Sequence, residues 1–207
     1  MPDTALAICN RALQLVGAPA VSSLSDTTDP NAVYMNTLYN TTLDDVLASH
    51  EWNFANIRVS LAGLGMACTP AWGFSCMFGL PCTPYLLRVL EVSLDGDENV
   101  DQADPWRIET WFNAAGTSCS RVILTNSCDV SMLYVGRVDA SVFDVMFAEA
   151  LTYELASKAA YPITRNATLI DGLVRIAQTK WQKARVRDSQ EGRKKNSVLS
   201  TVLTRVR

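Results

Sequence analysis

Between residues 62 and 84 the chain carries Gly63, Gly65, Gly73 and Gly79 together with Pro70, Pro81 and Pro84. Glycine is permissive in backbone conformation and proline removes an amide donor, so no regular element is expected to run through this stretch. The block divides the 207 residues into parts of different periodicity. Ahead of it, and again near the other end, apolar residues recur at helical spacing. Directly after it they come in short β-prone runs.

The helical parts announce their own boundaries. Thr4 is placed to cap a first helix with the apolar stripe Ile8, Ala12, Leu15 and Val16, stopping at Gly17-Ala18-Pro19. Asp29-Pro30 supplies a cap followed by proline at the first helical position. Ala32, Met35, Tyr39, Leu43 and Val46 then mark one buried face. Ser141-Val142-Phe143-Asp144 resembles a capping box with Asp in place of Glu. The helix it opens has Ala148, Leu151, Leu155 and Ala159 on its apolar side and is expected to break at Tyr161-Pro162. Asn166 or Thr168 starts a fourth helix bearing Leu169, Leu173, Ala177, Trp181 and Ala184, polar elsewhere through Gln178, Gln182 and Arg185.

Strand-like runs are expected at residues 85–94, 106–112, 121–125 and 130–138, separated by Asp95-Gly96-Asp97 and Asn113-Ala114-Ala115-Gly116. Trp72, Phe74 and Phe78 are expected to anchor the glycine- and proline-rich loop to a core, and Trp52 and Phe54 to be core anchors themselves. The fold class that follows is α+β. It is mainly an α-helical bundle formed by both chain ends (1–50 with 140–190), with a β-rich insertion (51–139) and an extended basic C-terminal arm (191–207).

Charge is divided as sharply as periodicity. The last 28 residues, from Lys180 on, hold nine Lys or Arg against Asp188 and Glu191; the 179 before them hold nine basic and nineteen acidic residues. A basic terminal segment on an acidic body reads as a docking arm. Within it, Val198-Leu199-Ser200-Thr201-Val202-Leu203 is a β-prone run able to add a strand to a partner's sheet. With 48% hydrophobic residues the body can bury a core. No apolar run approaches the roughly 20 residues that span a bilayer. The start, Met1-Pro2-Asp3-Thr4, lacks a basic n-region, so a cytosol-like compartment is expected.

Chemistry-bearing patterns are sparse. Of the six cysteines none forms Cys-x-x-Cys, and His50 is the single histidine, so zinc spacing is absent. The cysteines read as free, mostly buried thiols, with Cys76–Cys82 or Cys119–Cys128 disulfides open only in an oxidising compartment. His50-Glu51 follows Asp44 and Asp45 on the second helix, but helix neighbours point apart. It reads as a helix end where imidazole favours the negative pole. A calcium loop starting at Asp95 fails, because its sixth and twelfth places are Val100 and Trp106. Asp95, Asp97, Glu98 and Asp101 instead form a solvated hairpin tip, a candidate for facing another subunit's basic patch. No nucleotide cradle and no nucleophile elbow is present. No catalytic, cofactor or metal residues are therefore expected. Lys180, Lys183, Arg187, Arg193, Lys194 and Lys195 leave open an alternative, a DNA-binding accessory protein that uses the basic segment.

Four blocks carry a resemblance. They are Ala7-Ile8-Cys9-Asn10-Arg11-Ala12-Leu13-Gln14-Leu15-Val16-Gly17; Leu47-Ala48-Ser49-His50-Glu51-Trp52-Asn53-Phe54-Ala55; Pro70-Ala71-Trp72-Gly73-Phe74 leading to Leu80-Pro81 and Leu87-Arg88-Val89; and Phe143, Phe147, Leu151 followed by Leu155-Ala156. In this order they resemble the tail tubular protein A family, the head-to-tail adaptors of short-tailed bacteriophages. The sequence departs from that pattern at Cys82-Thr83-Pro84, where an aspartate is expected. The resemblance implies a non-enzymatic virion protein made in the host cytoplasm and located in the tail neck. It implies a homo-oligomeric ring, usually of twelve, between the portal protein ring and the tail nozzle, with DNA passing through its channel unread and no membrane partner. The arm residues expected to bind the portal are Arg193, Lys194, Lys195, Val198, Leu199, Val202, Leu203, Arg205 and Arg207.

Overall fold

A computed structural model gives the fold and describes residues 3–64, 70, 72–94, 105–112 and 119–191. It contains four helices and two antiparallel three-stranded sheets. The helices are α1 (Ala5–Leu15), α2 (Pro30–Ser49), α3 (Val145–Thr164) and α4 (Ala167–Gln190). The strands are β1 (Asn56–Ser60), β2 (Cys76–Gly79), β3 (Leu86–Leu94), β4 (Trp106–Phe112), β5 (Cys119–Thr125) and β6 (Val130–Gly136). They divide into two compact units, residues 1–40 with 140–207 and residues 41–139, the division passing through α2.

In the first unit α3 packs along α4 and against α1. Thr4 caps α1 by accepting from Ala7 N–H at 3.1 Å. The helix stops in a Schellman motif. Gly17 N–H donates to Gln14 O at 3.0 Å and Ala18 N–H to Leu13 O at 2.9 Å, with Gly17 at φ +75°. The buried face of α1 is Ile8, Cys9, Ala12 and Leu13. Of the expected stripe Ile8, Ala12 and Val16 are buried, while Leu15 is 37% exposed and Leu13 and Cys9 complete the face instead. Asn10 then ties the following loop down, its amide both donating to Val21 O (3.0 Å) and accepting from Val21 N–H (2.9 Å). On α2 the expected face is buried at Ala32, Met35, Tyr39 and Leu43, with Leu47 rather than Val46 completing it.

Two expectations for α3 are corrected. Asp144 is itself the N-cap, accepting from Met146 N–H at 2.9 Å, and Ser141 lies in a short 3₁₀ turn, Ala140–Val142, ahead of it. Nor does the helix break at Tyr161-Pro162: it runs to Thr164 with Pro162 inside and ends at Arg165 in the left-handed region, φ 57°. Proline in a helix leaves the carbonyl four residues earlier without its amide donor. Here that carbonyl is Lys158 O, and Tyr34 Oη donates to it at 3.4 Å. The apolar face is buried as expected at Ala148, Leu151, Leu155 and Ala159.

The second unit holds the sheets, ordered β1-β6-β3 and β2-β5-β4. One core joins them: Leu86, Leu94, Met132 and Tyr134 from the first sheet meet Phe78 and Ile123 from the second. Met77, Val122 and Leu124 cover the opposite face of the second sheet with Phe74 and Trp111. β2 overturns the expectation that residues 62–84 contain no regular element. Four residues fit between Gly73 and Pro81, and pairing Met77↔Leu124 and Phe78↔Ile123 with β5 holds them extended. Trp72 does not anchor this segment, being 84% exposed; Phe78, buried, and Phe74, half-buried, do. Trp52 is buried as expected, while Phe54 is only half-buried and stacks on it at 6.0 Å. The described thiols, all free, are not mostly buried: Cys9 is buried, Cys76 is half-buried, and Cys82, Cys119 and Cys128 are exposed.

Candidate functional site

The arm residues Arg193, Lys194, Lys195, Val198, Leu199, Val202, Leu203, Arg205 and Arg207 lie outside the described residues, as do Asp95, Asp97, Glu98 and Asp101. What the structure describes is the helix that carries the arm. Asn166 caps α4 by accepting from Leu169 N–H at 3.3 Å. Its buried face is Leu173, Ala177 and Ala184, with Trp181 half-buried. Trp181 meets Phe147 edge-on at 5.5 Å and donates through Nε1 to Glu154 Oε2 at 3.2 Å. The pairing orients α4 on α3 through one apolar and one polar contact.

The basic side of α4 is partly spent within the protein. Lys180 Nζ donates to Glu149 Oε1 and lies 5.5 Å from the centre of the Tyr153 ring. The hydrogen bond to Glu149 is the main cause that raises the Lys180 pKa. Burial opposes it, and the charge of Glu149 and the Tyr153 phenol add to it. Arg187 pairs with Glu191 at 3.6 Å. Lys183 and Arg185 face solvent without an acidic partner among the described residues. Two of the helix cations suggested as phosphate contacts, Lys180 and Arg187, are thus already engaged by carboxylates.

The His50 neighbourhood is a junction between helix and sheet. Its imidazole meets the Trp52 indole edge-on at 4.6 Å. Trp52 Nε1 and Ser49 Oγ both donate to Val46 O, at 3.1 and 2.8 Å, closing the end of α2. Asp44 pairs with Arg137 at 2.9 Å and Glu51 with Arg88 at 3.6 Å. Two of the acids that sequence proximity offered to His50, Asp44 and Glu51, are therefore held by arginines, Arg137 just after β6 and Arg88 in β3, which spacing along the helix did not reveal. Among the described residues no three His, Cys, Asp or Glu side chains gather as a metal site.

Two surface features had no signal in the sequence reading. A shallow cleft of about 340 Å³ lies on the outer face of the first sheet, lined by Arg58, Ser60, Glu91, Ser93, Ser131 and Leu133. The outer edge of β4 displays Trp106 and Phe112, 42% and 60% exposed. The second was findable in principle: a seven-residue run with three aromatic residues marks a strand that a small sheet cannot cover on both sides. No protein-family model matches the chain, and no curated protein matches it.

Proposed function

We propose that this protein is a passive head-to-tail adaptor of a short-tailed bacteriophage. Its subunits form a ring, of twelve copies, that joins the portal to the tail nozzle and lines the DNA channel. The observation that carries this reading is the set of four sequence blocks in chain order. Support comes from what those residues do: Asn10 and Gly17 fix the exit of α1, Trp52 closes α2, and Phe147, Leu151 and Leu155 fill the interior beside α3. They are structural determinants, which suits a protein whose task is shape.

In this proposal the helical elements of both chain ends act as a bundle and make the ring, and the β-rich part faces the nozzle or a neighbouring subunit. The basic arm, residues 191–207, orders on the portal, each weak contact multiplied around the ring. DNA slides past an acidic body that repels it. The virion neck is the expected location after synthesis in the host cytoplasm, with no chemistry performed. The test is deletion of residues 191–207. A folded protein that no longer binds portal rings is expected, and undiminished binding counts against the arm. Salt-dependent binding of the isolated chain to duplex DNA is the outcome that favours the accessory DNA-binding reading instead.

A further inference from the structure

Three strand edges in the second unit are visibly guarded. The edge of β2 is covered by the segment before it, through Leu64 N–H to Met77 O at 3.0 Å and the bridge Gly63↔Phe78. β3 is interrupted by two register shifts, and β1 is only five residues long with Arg58 at its centre. Bulges, shortness and charge are the usual protections of an edge. β4 is neither short nor bulged, and its two charges are opposite. It is seven residues long, pairs with β5 in unbroken register and contains neither proline nor lysine, and Arg107 and Glu109 balance each other at 3.6 Å.

Register fixes which backbone groups this edge presents. Leu80 N–H donates to Arg121 O at 3.0 Å, so Arg121, Ile123 and Thr125 bond toward β2. The alternate residues Ser120, Val122 and Leu124 then bond toward β4, occupying Trp111, Glu109 and Arg107. Trp106, Ile108, Thr110 and Phe112 are left with their amides and carbonyls directed outward. No described residue bonds to them there. The most exposed aromatic side chains of the strand, Trp106 and Phe112, belong to this same set.

We infer that the run Val198-Leu199-Ser200-Thr201-Val202-Leu203 of a second copy of this chain adds to that edge as an antiparallel strand. The run is one residue shorter than β4, carries no charge, proline or glycine, and is rich in residues that favour strands. It begins seven residues beyond Glu191, a reach of up to ~25 Å. Charge sets the direction. Residues 95–104, which lead into β4, hold five acids and no base, and antiparallel addition brings Arg205 and Arg207 toward that end. A strand given by each copy and received by the next is a head-to-tail contact, the connectivity that a closed ring uses. The inference rests on the ring reading and departs from it in one respect: Val198–Leu203, Arg205 and Arg207 go to the neighbouring copy, and Arg193, Lys194 and Lys195 stay with the portal.

The experiment uses the full chain with a photo-crosslinking phenylalanine analogue at Phe112, mixed as equal parts nitrogen-15-labelled and unlabelled protein. Crosslinks joining β4 of one isotope to the 196–205 peptide of the other are expected. Thr110→Pro, which removes only an outward amide, and Val202→Pro should each weaken self-association about tenfold or more in sedimentation. Circular dichroism checks folding, and Val202→Pro decides alone if Thr110→Pro unfolds. Crosslinks within one isotope only, crosslinks to other peptides, absence of self-association, or variants that associate normally would overturn the inference. Micrographs showing the chain at the neck without strand exchange sink this contact but not the adaptor reading; strand exchange in a chain found elsewhere does the reverse.

Discussion

Cys9 is fully buried in α1, and burial pushes its thiol up to about 12. Below the ordinary value of 9.0 the thiol is neutral in the folded and the unfolded chain alike, so the burial contribution is fully present. As pH rises from there toward 12 the unfolded chain gives up the proton and the folded chain keeps it. Stability is therefore lost across that window, by up to ~1.4 kcal/mol per pH unit from this one group. Cys9→Ala should be less stable at neutral pH but should lose this slope, as urea unfolding on both sides of the window will show. In the native protein iodoacetamide should label Cys82, Cys119 and Cys128 and spare Cys9 until denaturant is added. Trp52 makes a second prediction at this scale. Trp52→Ala removes a buried indole and should destabilise by about 3–5 kcal/mol. Trp52→Phe keeps most of the ring and loses one hydrogen bond to Val46 O, and should cost about 1 kcal/mol in addition to any repacking. A loss below that for the alanine variant would mean that the indole is not the wedge closing α2.

Helix ends and helix interiors treat glycine oppositely, and α1 and α4 contain one of each. Gly17 sits at φ +75° and Gly172 within α4, and an added Cβ meets nothing within 4 Å at either. Space is therefore not the variable; backbone conformation is. Gly17→Ala should destabilise by about 1–2 kcal/mol because an L-residue resists the left-handed region. Gly172→Ala should stabilise by about 0.5–1 kcal/mol by raising helix propensity. Thermal melts of the two variants should move in opposite directions. The same contrast explains what was legible beforehand. The cap Thr4, the cap Asn166 (offered beside Thr168) and the stripes of α3 and α4 are local signals, readable within a turn or two, whereas the cap of α3 is Asp144, three residues beyond the Ser141 that the sequence suggests. β1 and β2 escaped because four or five residues carry little periodicity of their own. They are fixed by distant partners, Asn56↔Val135 and Cys76↔Thr125. The continuation of α3 through Pro162 escaped for a similar reason, since Tyr34, far away in sequence, supplies a donor to the freed carbonyl. The candidate site was legible as charge alone, because charge can be summed along a chain whereas an open strand edge exists only once its neighbours are known.

At the scale of the whole molecule the governing fact is that opposite charges are sorted along the chain rather than mixed. A segment of nineteen acids against nine bases repels its own kind at low salt, and a segment of nine bases against two acids is attracted to acidic surfaces. Salt thus acts on the two proposed contacts in different ways. Binding of the arm to a portal ring is ionic at Arg193, Lys194 and Lys195, and such exposed contacts lose range as the Debye length falls from ~10 Å at 0.1 M to ~3 Å at 1 M. Strand addition along β4 depends mainly on backbone hydrogen bonds and on covering Trp106 and Phe112, which salt does not screen; only the attraction of Arg205 and Arg207 to residues 95–104, which sets its direction, is screened. Portal binding measured by sedimentation should therefore fall at least about tenfold between those salt concentrations. Association between copies should change far less. Replacing Arg193, Lys194 and Lys195 with glutamine should reproduce the high-salt behaviour at low salt without altering the melting of α3 and α4, whose contacts through Phe147 and Trp181 do not involve those residues. Equal salt sensitivity of the two associations would mean that a single kind of contact serves both, and the division of labour within the arm would have to be abandoned.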